Sequence, residues 1–142
     1  MEFITPDDLP TPAGYSHAVI TDPGARLVLT SGQIGLTADG TVAEGWEAQT
    51  RQTFVNLGIA LAAAGASWAN VVKLTYFVVS TTELPLIRSV RDEFVDLTHP
   101  PASSLVQVAG LFRPDVLIEI EATAAIPRRS SLPRPGSPDV TG

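Results

Sequence analysis

Residues 71–79 read VVKLTYFVV, an uninterrupted run of β-branched, aromatic and aliphatic side chains carrying a single charge. Neither Gly nor Pro breaks it, so the segment predicts a strand. Side chains alternate across a strand, and the two sets here are Val72, Leu74, Tyr76, Val78 and Val71, Lys73, Thr75, Phe77, Val79. Both are largely apolar. A strand of this kind must be covered on both sides, and the flanking segments decide what covers it.

On the N-terminal side, residues 45–64 (GWEAQTRQTFVNLGIALAAA) place Phe54, Leu57, Leu61 and Ala64 at helical spacing, with Arg51, Gln52 and Asn56 off that stripe. Gly65 follows, suited to the left-handed conformation that ends a helix. On the C-terminal side, residues 82–97 (TELPLIRSVRDEFVDL) predict a second helix. Thr82 is its expected N-cap, Pro85 is tolerated in the first turn, and Ile87, Val90, Phe94 and Leu97 form the buried stripe. Arg88, Arg91 and Asp92 fall beside or opposite that stripe. His99-Pro100-Pro101 breaks the helix, after which 103–108 (SSLVQV) and 116–126 (VLIEIEATAAI) read as strands. Before the first helix, 15–20 (YSHAVI) and 26–31 (RLVLTS) read as two strands of a hairpin, joined by the turn residues Asp22-Pro23-Gly24.

The resulting order is two strands, helix, strand, helix, two strands: an α+β fold with a mixed sheet of about six strands and two helices on one face. Two helices leave the other face bare. A homo-oligomer that buries it is the economical solution. At 142 residues the chain suits one domain, over 1–127. Residues 1–14, with Pro6, Pro10 and Pro12, are expected to form an extended arm with little regular structure, and the Pro/Ser-rich residues 128–142 a flexible tail.

The formal charge of −6, with nine scattered Lys and Arg, disfavours nucleic acid as a partner. There is no cysteine, which removes disulfides, thiolate nucleophiles and sulfur metal sites, and two histidines, His17 and His99, make a poor metal centre. No metal and no cofactor are expected. The N-terminal MEFITPDDLPTPAGYS lacks the basic-then-apolar pattern of a signal peptide, and no apolar run reaches spanning length. A cytoplasmic protein without membrane contact is expected.

Six segments, in order, resemble the Rid (YjgF-like) family of reactive intermediate deaminases: PAGYSHAV at 12–19, TSGQIG at 30–35, QTRQTFVNL at 49–57, AAGASWANVVKLTYFV at 63–78, PPASSLVQV at 100–108 and IEIEATAAIP at 118–127. The resemblance implies a chorismate-mutase-like fold, a homotrimer packed through its sheets, and small-molecule clefts between subunits. It also implies hydrolysis of 2-imino or 2-enamino acids to 2-oxo acids and ammonia. Residue by residue, Tyr15 matches the tyrosine lining the cleft, Ser31-Gly32 the turn whose backbone faces the ligand, and Glu119 the carboxylate that positions or activates water. Two positions depart from the deaminase branch. Ser103 stands where that branch has the arginine that clamps the substrate carboxylate, and Leu105 where it often has a cysteine. Arg88 lies near the place of a polar helix residue.

Imine hydrolysis needs a held water, a group to take its proton and something to orient the substrate. An arginine fork orients bidentately, whereas a serine offers one neutral donor of roughly half the strength. Either the substrate lacks a carboxylate at that spot or another cation serves. Arg88 is the candidate, set against a solvated Arg88 paired with Asp92 at i+4. Glu119 and Glu121 share one sheet face, Glu119 read as the water-orienting base and Glu121 as an ion-pair partner for Lys73 or an arginine. His17 is expected to make a structural hydrogen bond and His99 to be exposed. The leading expectation is a Rid-like imine or enamine deaminase that does not use the standard 2-iminoacids. Its rival is a non-catalytic trimer that holds a metabolite in the same cleft. RNA cleavage is disfavoured by the charge.

Overall fold

The computed structural model describes residues 1–129, so the expected tail at 128–142 lies almost wholly outside the described residues. The strands are β1 (Glu2–Ile4), β2 (Ala18–Ile20), β3 (Arg26–Leu29), β4 (Gln33–Ile34), β5 (Val71–Val78), β6 (Ala102–Gln107) and β7 (Ile118–Ile126). Two helices, α1 (Gly45–Ala63) and α2 (Leu84–Arg91), alternate with them, and a short 3₁₀ turn at Trp68–Asn70 leads into β5. The fold is α+β, as expected. A five-stranded sheet runs β3-β7-β5-β6, with β4 also on β7, and a separate two-stranded sheet joins β1 to β2. Strand β6 is parallel to β5, and the other pairings are antiparallel.

Both helices pack on one face of the large sheet. Leu74, Tyr76 and Val78 of β5 and Ile118, Ile120 and Ala122 of β7 meet Phe54, Leu57 and Leu61 of α1 and Ile87 and Val90 of α2. Each of these large apolar side chains is buried, and each contributes about 1.5–3 kcal/mol relative to exposure. Polar anchors fix the register of helix on sheet. The buried Gln49 side chain donates to the Asp115 carbonyl at 2.7 Å and accepts from the Leu117 amide at 2.9 Å, tying α1 to the entry of β7. Asn56 donates to the carbonyls of Ile34 and Leu36, both at 2.8 Å.

The other face of the large sheet carries the alternate residues: Lys73, Thr75 and Phe77 on β5, Glu119, Glu121 and Thr123 on β7, Ser104 and Val106 on β6. No helix covers it. Leu27, Leu29 and Val106 are exposed, Leu29 at 73%.

Several local expectations need correction. The turn at 22–25 forms, with the Ala25 amide on the Asp22 carbonyl at 3.2 Å. Its flanking strands nevertheless do not pair with each other: β2 pairs with β1 and β3 with β7, so the hairpin expected over 15–31 is absent. Within the expected N-terminal arm, Glu2–Ile4 form the short strand β1 that pairs with β2. Helix α2 stops at Arg91 rather than near 97, since the amides of Glu93 and Phe94 bond three residues back, to Val90 and Arg91, and tighten the last turn. Its N-cap is Glu83, and Thr82 instead meets Ser80. Ala64 is exposed; the inner face of α1 is completed by Gln49, Thr50 and Thr53. Among the described residues no helix is long and apolar enough to cross a membrane.

Candidate functional site

Strand β6 is an edge of the sheet, and the chain leaving the N-terminal arm closes against it. The Ser16 amide bonds the Pro101 carbonyl at 3.1 Å and the Ser16 hydroxyl the Pro100 carbonyl at 2.7 Å, and residue 16 bridges Ala102 in parallel register. This places Tyr15 beside the start of β6. On β6 itself, Ser103 is opposite Leu74 and Leu105 opposite Tyr76, so both share the helix side of the sheet. Helix α2 forms the far wall. The result is a cleft of about 200 Å³ lined by Tyr15, Arg88, Ser103 and Leu105, four of the residues expected in the site, and by Tyr76 and Arg91.

Those last two were missed. Arg91 is buried at 9% exposure, and its Nε and Nη2 donate to Asp92 Oδ1 at 2.9 and 2.7 Å. Asp92 therefore pairs with its neighbour and not with Arg88. The backbone of Gly14, at φ +77°, lies against the Arg91 guanidinium: a Cβ there would fall 2.2 Å from Nη2. Tyr76 is 3% exposed and its hydroxyl has no hydrogen-bond partner among the described residues. Burial pushes the phenol well above its ordinary value, the nearby Arg91 charge opposing that rise and Asp92 adding to it, so the hydroxyl remains a donor. A signal for each was present. Arg91 continues the Ile87, Val90 stripe at i+4, a charge on a buried face, and Tyr76 is the one polar tip in the set Val72, Leu74, Tyr76, Val78.

Glu119 and Gly32 form a second group, with Ser31 next to Gly32 in the chain. Glu119 pairs with Phe77 on one side and Ile34 on the other, and its side chain is on the open face. Gly32 makes room for it, because a Cβ at Gly32 would stand 1.9 Å from Glu119 Oε1. Within one chain this group and the α2 cleft are on opposite sides of the sheet, with β5 between the strands β7 and β6 that carry them. Glu121 lines a shallow pocket on the open face with Lys73, whose Nζ donates to Ser104 Oγ at 2.7 Å. His17 Nε2 is 2.9 Å from the Pro10 carbonyl, a structural bond as expected, and His99 is exposed beside Asp96.

Comparison with known proteins bears on this arrangement. Residues 5–126 match the model of the family described as Endoribonuclease L-PSP. The chain belongs to this family, also called YjgF/Rid. It is 34% identical over 130 residues to the RutC family protein slr0709 of Synechocystis, covering 89% of this chain and 98% of that protein. The 2-iminobutanoate/2-iminopropanoate deaminase of Salmonella typhimurium is 39% identical over 101 residues, 69% of this chain and 78% of that enzyme. Among solved structures, a Rid-family protein from Yersinia pestis superposes with a TM-score of 0.75 at 34% identity, covering 88% and 98% of the two chains. Escherichia coli TdcF, crystallised with bound serine, gives 0.65 at 33% identity over 88% and 98%. This member of the YjgF/Rid family thus carries the family fold, with a serine at 103 and an arginine at 91 facing its cleft.

Proposed function

We propose that this protein hydrolyses a reactive imine or enamine, releasing ammonia, in a cleft completed by a second subunit of a homotrimer. The observation that carries the reading is the division of the site residues. Tyr15, Arg88, Ser103 and Leu105 line the helix-side cleft, whereas Glu119 with Gly32 faces the open side. Strands are spaced about 4.8 Å apart, and Glu119 is two strands from β6 and across the sheet, so one small molecule cannot touch both groups in one chain. A second copy docked on the open face, where Leu27, Leu29 and Val106 are exposed, supplies the missing half.

The chemistry asks little of such a site. The Glu119 carboxylate takes a proton from water as the water oxygen adds to the C=N carbon, and the proton is returned to nitrogen. The C–N bond of the resulting carbinolamine then breaks as its hydroxyl proton passes to the departing nitrogen, so the C=O forms and ammonia leaves with the C–N electron pair. Relatives carry the name 2-iminobutanoate/2-iminopropanoate deaminase, and serine bound to TdcF is a small amino acid. Because Ser103 offers only a neutral donor, short 2-iminoacids held from β6 are not the expected substrates. The same serine favours a second reading, a non-catalytic trimer that holds a metabolite.

The test is a panel of imines generated in situ by an amino-acid oxidase, with the carbonyl product followed against buffer alone. Wild type should accelerate at least one of them, and Glu119→Gln should lower that rate by about 10²–10⁴-fold. Ser103→Arg should extend activity to 2-iminopropanoate. A folded protein inert to the whole panel, with Ser103→Arg inert as well, overturns the hydrolase reading and leaves the binding one.

A further inference from the structure

We infer that the helix-side cleft is a monocarboxylate pocket whose clamp is Arg91 on α2, with Arg88 at its rim and the Tyr76 hydroxyl as a second donor to the same ligand. The inference deepens the hydrolase reading, on which it rests for identifying the carboxylate as the substrate's.

Three features converge on it. First, Arg91 is buried yet not consumed. Its guanidinium has five N–H donors, and the bonds to Asp92 use Nε and one side of Nη2. Gly14 on one side and Asp92 on another fix the plane of the fork, so little side-chain freedom is lost when an anion arrives. Second, the Tyr76 hydroxyl is buried and has no hydrogen-bond partner among the described residues, and Tyr76 lines the same cavity. A buried donor left unmade costs about 1–3 kcal/mol, and an acceptor oxygen on a ligand between Tyr76 and Arg91 removes that cost. Third, the local charges of Arg88, Arg91 and Asp92 sum to one positive charge, which a single carboxylate balances. Leu84, Ile87 and Leu105 supply apolar lining, and Tyr15, Ser103 and Ser104 supply only neutral polar groups. At about 200 Å³ the cavity is small, on the scale of a short-chain monocarboxylate and not of a nucleotide.

The positive group absent from position 103 is thus replaced from another direction: α2 in place of β6. A carboxylate gripped from α2 enters the cleft with its reacting carbon displaced from where a β6 clamp would put it, which makes Arg91 the residue that sets which imines fit.

Binding separates this inference from the catalytic reading. The probes are 2-oxobutanoate and its uncharged counterpart 2-butanone, titrated into the full chain and followed by amide shifts of Gly14, Ser103 and Leu105. The carboxylate should bind and the ketone should not. Arg91→Gln should weaken 2-oxobutanoate about 10- to 100-fold, Arg91→Lys should recover part of the loss, and Tyr76→Phe should cost several-fold. Tyr76→Phe keeps the packing, so it serves if Arg91→Gln fails to fold. Equal binding of ketone and carboxylate, or a Tyr76→Phe and an Arg91→Gln that bind as wild type does, overturns the inference. Carboxylate binding without hydrolysis of any imine leaves the clamp standing and removes the hydrolase reading. Hydrolysis with unchanged KM in Arg91→Gln does the reverse.

Discussion

At Gly32 the place of a side chain is taken by another residue's carboxylate, since Glu119 Oε1 lies where a Cβ would have to be. Gly32→Ala should therefore move the carboxylate rather than unfold the sheet. A displacement of about 1 Å in a positioned group costs on the order of 10²-fold in rate, so the expected result is a drop of that size in kcat with a nearly unchanged thermal midpoint. Steady-state kinetics beside a melting curve check it, and a fully active Gly32→Ala protein would remove Glu119 from the mechanism. Residues of this kind mark how far the sequence could be read. Tyr15, Ser103 and Leu105 could be gathered into one cleft beforehand because each sits in a recognisable motif, whereas Arg88, outside those motifs, was a candidate set against a solvated or Asp92-paired arginine. Arg91 and Tyr76 were not gathered, although each left a signal, because whether a polar atom beside apolar neighbours is buried and satisfied depends on residues distant in sequence. Arg91 looked like a surface charge, yet it is 9% exposed.

Among the elements, β5, β7 and α1 were anticipated to within two residues because their signals are local: alternation, β-branching and the 3.6-residue stripe. The hairpin over 15–31 failed for the complementary reason. Its turn chemistry is sound, but pairing is decided by competing strands, and β1 and β7 take β2 and β3 respectively. Register on α1 is likewise set by a residue that looked merely polar. Gln49→Leu keeps the volume and removes both the donor to Asp115 and the acceptor for Leu117, leaving two backbone groups without their partner. A loss of about 2 kcal/mol is expected, measured by urea unfolding at matched protein concentration, since the transition of an oligomer moves with concentration. An unchanged midpoint would mean that the backbone at 115–117 holds itself.

For the whole molecule, the uncovered sheet face is the dominant feature. Lys73, Phe77, Glu119 and Glu121 share it with exposed Leu29 and Val106, and two helices cannot reach it. The sequence pointed to this from the doubly apolar VVKLTYFVV alone, whereas which residues would meet across the interface depends on a docking geometry no single chain encodes locally. The proposed trimer makes each site a joint product of one subunit's α2 cleft and another's Glu119. Mixing two impaired variants, Glu119→Gln and Arg91→Gln, at substrate below KM, where the weakened binding of Arg91→Gln is seen as lost rate, tests that directly. After subunit exchange, with mixed trimers verified by native mass spectrometry, random assembly leaves about one quarter of the interfaces with both groups intact. Measured on the imine that wild type hydrolyses fastest, the mixture should recover roughly that fraction of wild-type activity; mixed trimers no more active than the two variants apart would contradict a site shared between subunits.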